Sequence, residues 1–100
     1  MAEKHNTRID KWLWAVRIFK TRAQATEACA GGKVKIDGTA VKASRKIKPG
    51  ETLLVRKGVI KYMYKVLKIA EKRMGAKLII DFVEDLTLDD ERAKLKFSHK

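Results

Sequence analysis

Seven cationic side chains, Arg8, Lys11, Arg17, Lys20, Arg22, Lys33 and Lys35, fall within one stretch of the chain, with Trp12 and Trp14 interleaved. This mixture suits a polyanion. Ammonium and guanidinium groups bind phosphate oxygens, and an indole can stack on an unpaired base. Lys20 and Arg22 flank Thr21, which has Gln24 three residues after it, the pattern of a helix start with a capping box. Positive side chains around free helix amides make an anion site. Lys42, Arg45, Lys46 and Lys48 extend the basic track downstream. The candidate contacts are Arg8, Lys11, Trp14, Arg17, Lys20, Thr21, Arg22, Lys33, Lys35 and Lys46. Trp12 falls on an apolar helical stripe and is assigned to the core. Two readings stand for Trp14, stacking on a base or being covered by the back half of the chain, and the covered position is preferred.

Other chemistries find no support. Gly31-Gly32 lacks the spacing and the Lys-Ser/Thr of a phosphate loop. His5 and His99 sit in the two tails, and the single Cys29 completes no set with metal-ligand spacing. Asp10 and Asp37 read as a helix cap and a turn residue, and Cys29 as a small core residue. No catalytic residue, metal or cofactor is expected.

The elements that must carry the basic residues follow from periodicity. Asp10 is expected to cap a first helix whose Ile9, Trp12, Leu13 and Val16 share one face. Lys11, Trp14 and Arg17 form a separate row on that helix. A second helix runs from Thr21 to Gly31-Gly32, its inner side the small residues Ala25, Ala28 and Cys29. KVKID and AVKA flank an Asp37-Gly38 hairpin turn, with Val34 and Ile36 inward. Lys48-Pro49-Gly50-Glu51 has the residues of a type II turn leading into the strand TLLVRK. Beyond Gly58, Ile60, Tyr62, Tyr64 and Val66 alternate with Lys61, Met63 and Lys65 as a long strand. KLIIDFV is expected to be a strand pairing back onto it, and Thr87 to cap a last short helix. The fold class is α+β: two short helices on a small, mostly antiparallel sheet, with a β-hairpin extension and a short C-terminal helix. It is one domain, 1–100, with a core over 8–57, an extension over 58–83 and a helix and tail over 84–100.

Composition sets the bounds. The chain of 100 residues carries a net charge of +12, and its 45% hydrophobic content argues for a folded domain. Residues 1–50 hold 12 basic and 4 acidic side chains, a balance of +8; residues 51–100 hold 12 and 8, a balance of +4. The binding field therefore lies in the front half. One cysteine forms no intramolecular disulfide, and no signal-peptide or membrane-spanning run is present, so a cytoplasmic protein without a membrane partner is expected.

RIDKWL, KTRAQA, GGKVKIDG and KPGE, in that order, resemble the RNA-binding domain first described in small-subunit ribosomal protein four, the αL RNA-binding motif. The doubled Trp12 and Trp14, with Arg17, Lys20, Thr21 and Arg22, are most similar to the ribosome-associated heat shock protein 15 branch. The resemblance covers residues 8–57. It implies a grip on structured RNA through phosphates, ribosomal RNA and also transfer RNA. It further implies binding to the large ribosomal subunit in rescue or recycling of a nascent chain on its transfer RNA. Members of that branch continue into a long basic tail, whereas this chain stops at Lys100. A monomer that is not an enzyme is expected. The alternatives are an RNA-binding fragment of an enzyme such as a pseudouridine synthase or a tyrosyl-tRNA synthetase, and a binder driven by charge alone.

Overall fold

A computed structural model describes the backbone of residues 6–97 and the side chains as far as Leu95. His5 and His99 lie outside the described residues. The chain opens with the short strand β1 (Thr7–Arg8) and helix α1 (Ile9–Ala15). Ile9, Trp12, Leu13 and Val16 are all buried, as their spacing requires.

The start of α1 differs from the expected cap. Arg8 holds the cap position, and the amides of Ile9 and Asp10 donate to the carbonyls of Arg45 and Ala43 at 2.7 and 3.4 Å. A loop distant in sequence supplies the acceptors, so the Asp10 carboxylate is released from capping and turns inward. The end of α1 is also tighter than its periodicity suggested. Val16 is the C-cap, and Arg17 takes a left-handed conformation (φ 66°) while Ile18 N–H reaches the Leu13 carbonyl at 3.0 Å. Arg17 therefore stands off the helix, in a position usually given to glycine.

Helix α2 (Arg22–Ala30) begins as expected, with Thr21 Oγ1 accepting from Gln24 N–H at 3.1 Å. It ends with Gly32 at φ 74°, and Lys33 N–H bonds the Ala28 carbonyl at 2.9 Å. Ala25, Ala28 and Cys29 are buried, and their small size brings α2 close against α1.

Strands β2 (Val34–Ile36) and β3 (Thr39–Ala40) form a hairpin through Asp37 and Gly38, both at positive φ. β4 (Lys46–Ile47) pairs with β1, placing Arg8 opposite Lys46. The turn at Gly50 (φ 98°) leads into β5 (Thr52–Lys57), which pairs with β6 (Ile60–Val66) over its whole length. The sheet order is β3-β2-β5-β6-β7, antiparallel at every pairing. Val34, Ile36, Leu53, Val55 and Val66 point from it into the core beneath α1 and α2.

KLIIDFV is not a single strand. Ala76–Leu78 is a 3-10 turn, Ile79–Phe82 is the short helix α3, and only Val83–Asp85 forms β7 beside Tyr64–Val66. The apolar residues of this segment fit a helix as well as a strand. Ile79 and Phe82, three apart, pack on the core while Ile80 is 76% exposed. The segment before it decides the outcome, because it is drawn across α1: Trp12 Nε1 donates to the Lys68 carbonyl and Met74 N–H to that of Ala15. The extension is thus an antiparallel pair joined by a long crossing, not a tight hairpin. Thr87 does not cap α4 (Asp89–Phe97); its hydroxyl accepts from Met63 N–H at 3.0 Å and ties the helix start to β6.

Candidate nucleic-acid interface

The described structure divides the basic residues into three groups. The first surrounds Asp10, which is 1% exposed. Arg8 donates to its carboxylate twice, at 3.2 and 3.0 Å; Thr26 donates at 2.9 Å, and Arg22 forms an ion pair at 3.5 Å. Burial pushes the Asp10 carboxyl up. The hydrogen bonds from Arg8 and Thr26 and the charges of Arg22 and Arg8 outweigh that and hold it below its usual range. The carboxylate is therefore ionised, and it orients two guanidinium groups that remain nearly half exposed. Arg22 is the first residue of α2, where a cation opposes the helix dipole. Asp10 offsets that conflict from inside. Lys46, exposed and paired across from Arg8, adds to this corner, with Arg45 held beside it on Glu51 at 2.9 Å. Thr21 keeps the amides of α2 in place beneath the arginines.

The second group lies on the opposite flank of α2. Lys20 and Lys33 line a shallow hollow with Arg56 and Lys57 from the end of β5. Lys57 donates to the Ile18 carbonyl and lies 4.8 Å over the Phe19 ring, and burial lowers its pKa. Lys35 projects from the outer face of the sheet, beside Asp37 and Leu54.

The third group faces the back half. Lys11 pairs with Glu71 at 3.2 Å, and Arg17 donates to the Met74 carbonyl at 3.4 Å. Trp14 is half-buried, with the Arg73 guanidinium 5.8 Å from its ring centroid and donating to its carbonyl at 2.7 Å. The cover over Trp14 comes from the crossing segment. The ten candidate residues therefore do not form one surface: Arg8, Thr21, Arg22 and Lys46 converge, Lys20 and Lys33 share a hollow, and the rest are spread.

The sequence reading missed Asp10 as the organiser, and missed Arg56, Lys57 and Arg73. For Asp10 one signal was available, namely an acid among cations on the buried stripe next to Ile9 and Leu13. Cys29 offers no nucleophile, since burial and the nearby Asp10 charge push its thiol up to about 11. Among the described residues no group of His, Cys, Asp and Glu could hold a metal ion, and no helix is long and apolar enough to cross a membrane.

Comparison with known proteins places this geometry. The S4 domain family model matches residues 7–53. Heat shock protein 15 of Escherichia coli is 44% identical over 69 residues, covering 69% of this chain and 52% of that protein. The RQC P-site tRNA stabilizing factor of Helicobacter pylori is 40% identical over 57 residues, covering 55% of this chain and 68% of the relative. The trimeric Vibrio cholerae heat shock protein 15 superposes with a TM-score of 0.78 at 30% identity, over 94% of this chain and 93% of that one. The chain spans about half the length of the curated heat shock protein 15 relatives it matches.

Proposed function

The chain belongs to the S4-domain family, of the heat shock protein 15 type, and from that premise we propose that it binds structured RNA on the ribosome and acts in rescue of peptidyl-tRNA. The observation that carries this reading is the buried Asp10 holding Arg8 and Arg22 with their guanidinium faces outward over a capped helix start. Such a pair is oriented before the ligand arrives, so less ordering cost falls on binding. A planar guanidinium then gives a phosphate two parallel hydrogen bonds. The name of the Helicobacter pylori relative, an RQC P-site tRNA stabilizing factor, supports the setting of transfer RNA on the ribosome. The protein acts by binding, in the cytoplasm, on ribosomal RNA of the large subunit and on transfer RNA.

Co-sedimentation on a ribosome gradient with crosslink mapping tests the partner. On isolated structured RNA, neutralising about five to seven phosphates gives log affinity against log salt a slope of roughly −4 to −6. Arg22→Ala weakens binding at fixed salt, while Lys72→Ala with Lys77→Ala, both exposed in the back half, matters little. Equal losses would mean that charge alone is responsible.

A further inference from the structure

We propose that the hollow between α2 and the end of β5 is a second phosphate subsite, taking a backbone phosphate of the same RNA that the Asp10 corner holds. This rests on the RNA reading above. Four cations from three separate parts of the chain meet there: Lys20 before α2, Lys33 after it, and Arg56 and Lys57 at the end of β5. Among the described residues, Glu27 is the one acid lining it. Such a convergence of positive charge attracts an anion.

Two features show that the cations are placed. Lys57 donates to the Ile18 carbonyl and stands over the Phe19 ring, contacts that position its exposed side chain at the edge of the hollow. Arg56 N–H bonds the Lys33 carbonyl at 2.8 Å, so these two side chains leave the fold from one point.

The hollow and the corner are different sites. At about 100° per residue, Arg22 and Thr26 lie on one flank of the buried Ala25–Cys29 stripe of α2, and Gln24 and Glu27 lie on the other. A helix with its side chains is about 10–12 Å across, so a single phosphate cannot satisfy both. The α2 helix is thus gripped by RNA on two sides. The ligand chemistry at each is a phosphodiester oxygen.

The test measures binding of a labelled RNA stem-loop to the full chain across a salt series. Arg56→Gln and, separately, Lys33→Gln should weaken binding and make the salt slope shallower by about 0.9 each. Glu27→Gln should strengthen binding more than Glu84→Gln, which removes the same charge from exposed β7. Inorganic phosphate, titrated at constant ionic strength while Gln24 and Lys33 amide signals are followed, should act only far above the RNA concentration needed. Unchanged affinity and slope in both cation variants, or equal gains from the two Glu variants, would overturn the subsite and leave the corner standing if Arg22→Ala still loses affinity. Phosphate as effective as RNA would overturn the RNA assignment of the hollow. A wild-type chain that binds no structured RNA would overturn the corner and the hollow together.

Discussion

Replacing Asp10 with asparagine separates what charge does from what placement does. The carboxylate receives two hydrogen bonds from Arg8 and one from Thr26, and it lies 3.5 Å from Arg22. Hydrogen bonds to a charged group contribute about 1.5–3 kcal/mol when buried. Here the arginine partners are 45% and 44% exposed, so water screens them and each contact is worth about 0.2–1 kcal/mol by the measure of exposed pairs. The half-buried Thr26 bond adds about 1 kcal/mol. The substituted amide would keep one acceptor but aim its own donor at cationic donors. The expected loss is about 1–3 kcal/mol, at about 4–8 °C of melting temperature per kcal/mol for a domain of this size.

The pH profile supplies an independent readout. A carboxylate with a lower pKa folded than unfolded binds fewer protons in the native state. Its stabilisation is therefore complete above the unfolded value near 3.8 and disappears as pH falls through the lower folded value. Urea melts of wild type and Asp10→Asn, taken from neutral to acid pH, should converge as the wild type loses this contribution. Stability of the variant within about 0.5 kcal/mol of wild type at neutral pH, or a constant gap between the two down to the acid limit, would refute the reasoning.

Three further outcomes are expected. Thr21→Ala removes the hydroxyl that caps Gln24 and should cost about 0.5–2 kcal/mol by chemical denaturation, with RNA affinity falling in parallel. Arg73→Ala strips a donor from the Trp14 and Phe19 carbonyls and the cover from the Trp14 ring; it should cost about 1–3 kcal/mol and shift tryptophan emission to longer wavelength. Ending the chain at Lys57 removes Val66, Ala70, Met74 and Val83 from the core together with the Lys68 acceptor of Trp12, so circular dichroism on heating should show no cooperative transition. A truncated chain melting at the full-length temperature would make residues 58–100 a separate unit.

What was legible in the sequence was local. The Ile9-Trp12-Leu13-Val16 stripe, the Thr21 cap, the Gly32 stop, the Asp37-Gly38 hairpin and the Gly50 turn each depend on residues a few positions apart. Backbone sterics and short-range hydrogen bonds favour such features from residues close in sequence. Elements whose partners are distant could not be read that way. Asp10 looked like a cap because its neighbours allow it, but the carbonyls of Ala43 and Arg45 occupy that role. Thr87 was likewise diverted by Met63, and KLIIDFV was bent into a helix by a crossing segment tied to Trp12 and Ala15. The basic residues themselves were visible as a charge balance. Which of them stand side by side was decided by the fold, because Arg8, Arg22 and Lys46 are brought together only when β1 meets β4 and α2 packs against Asp10.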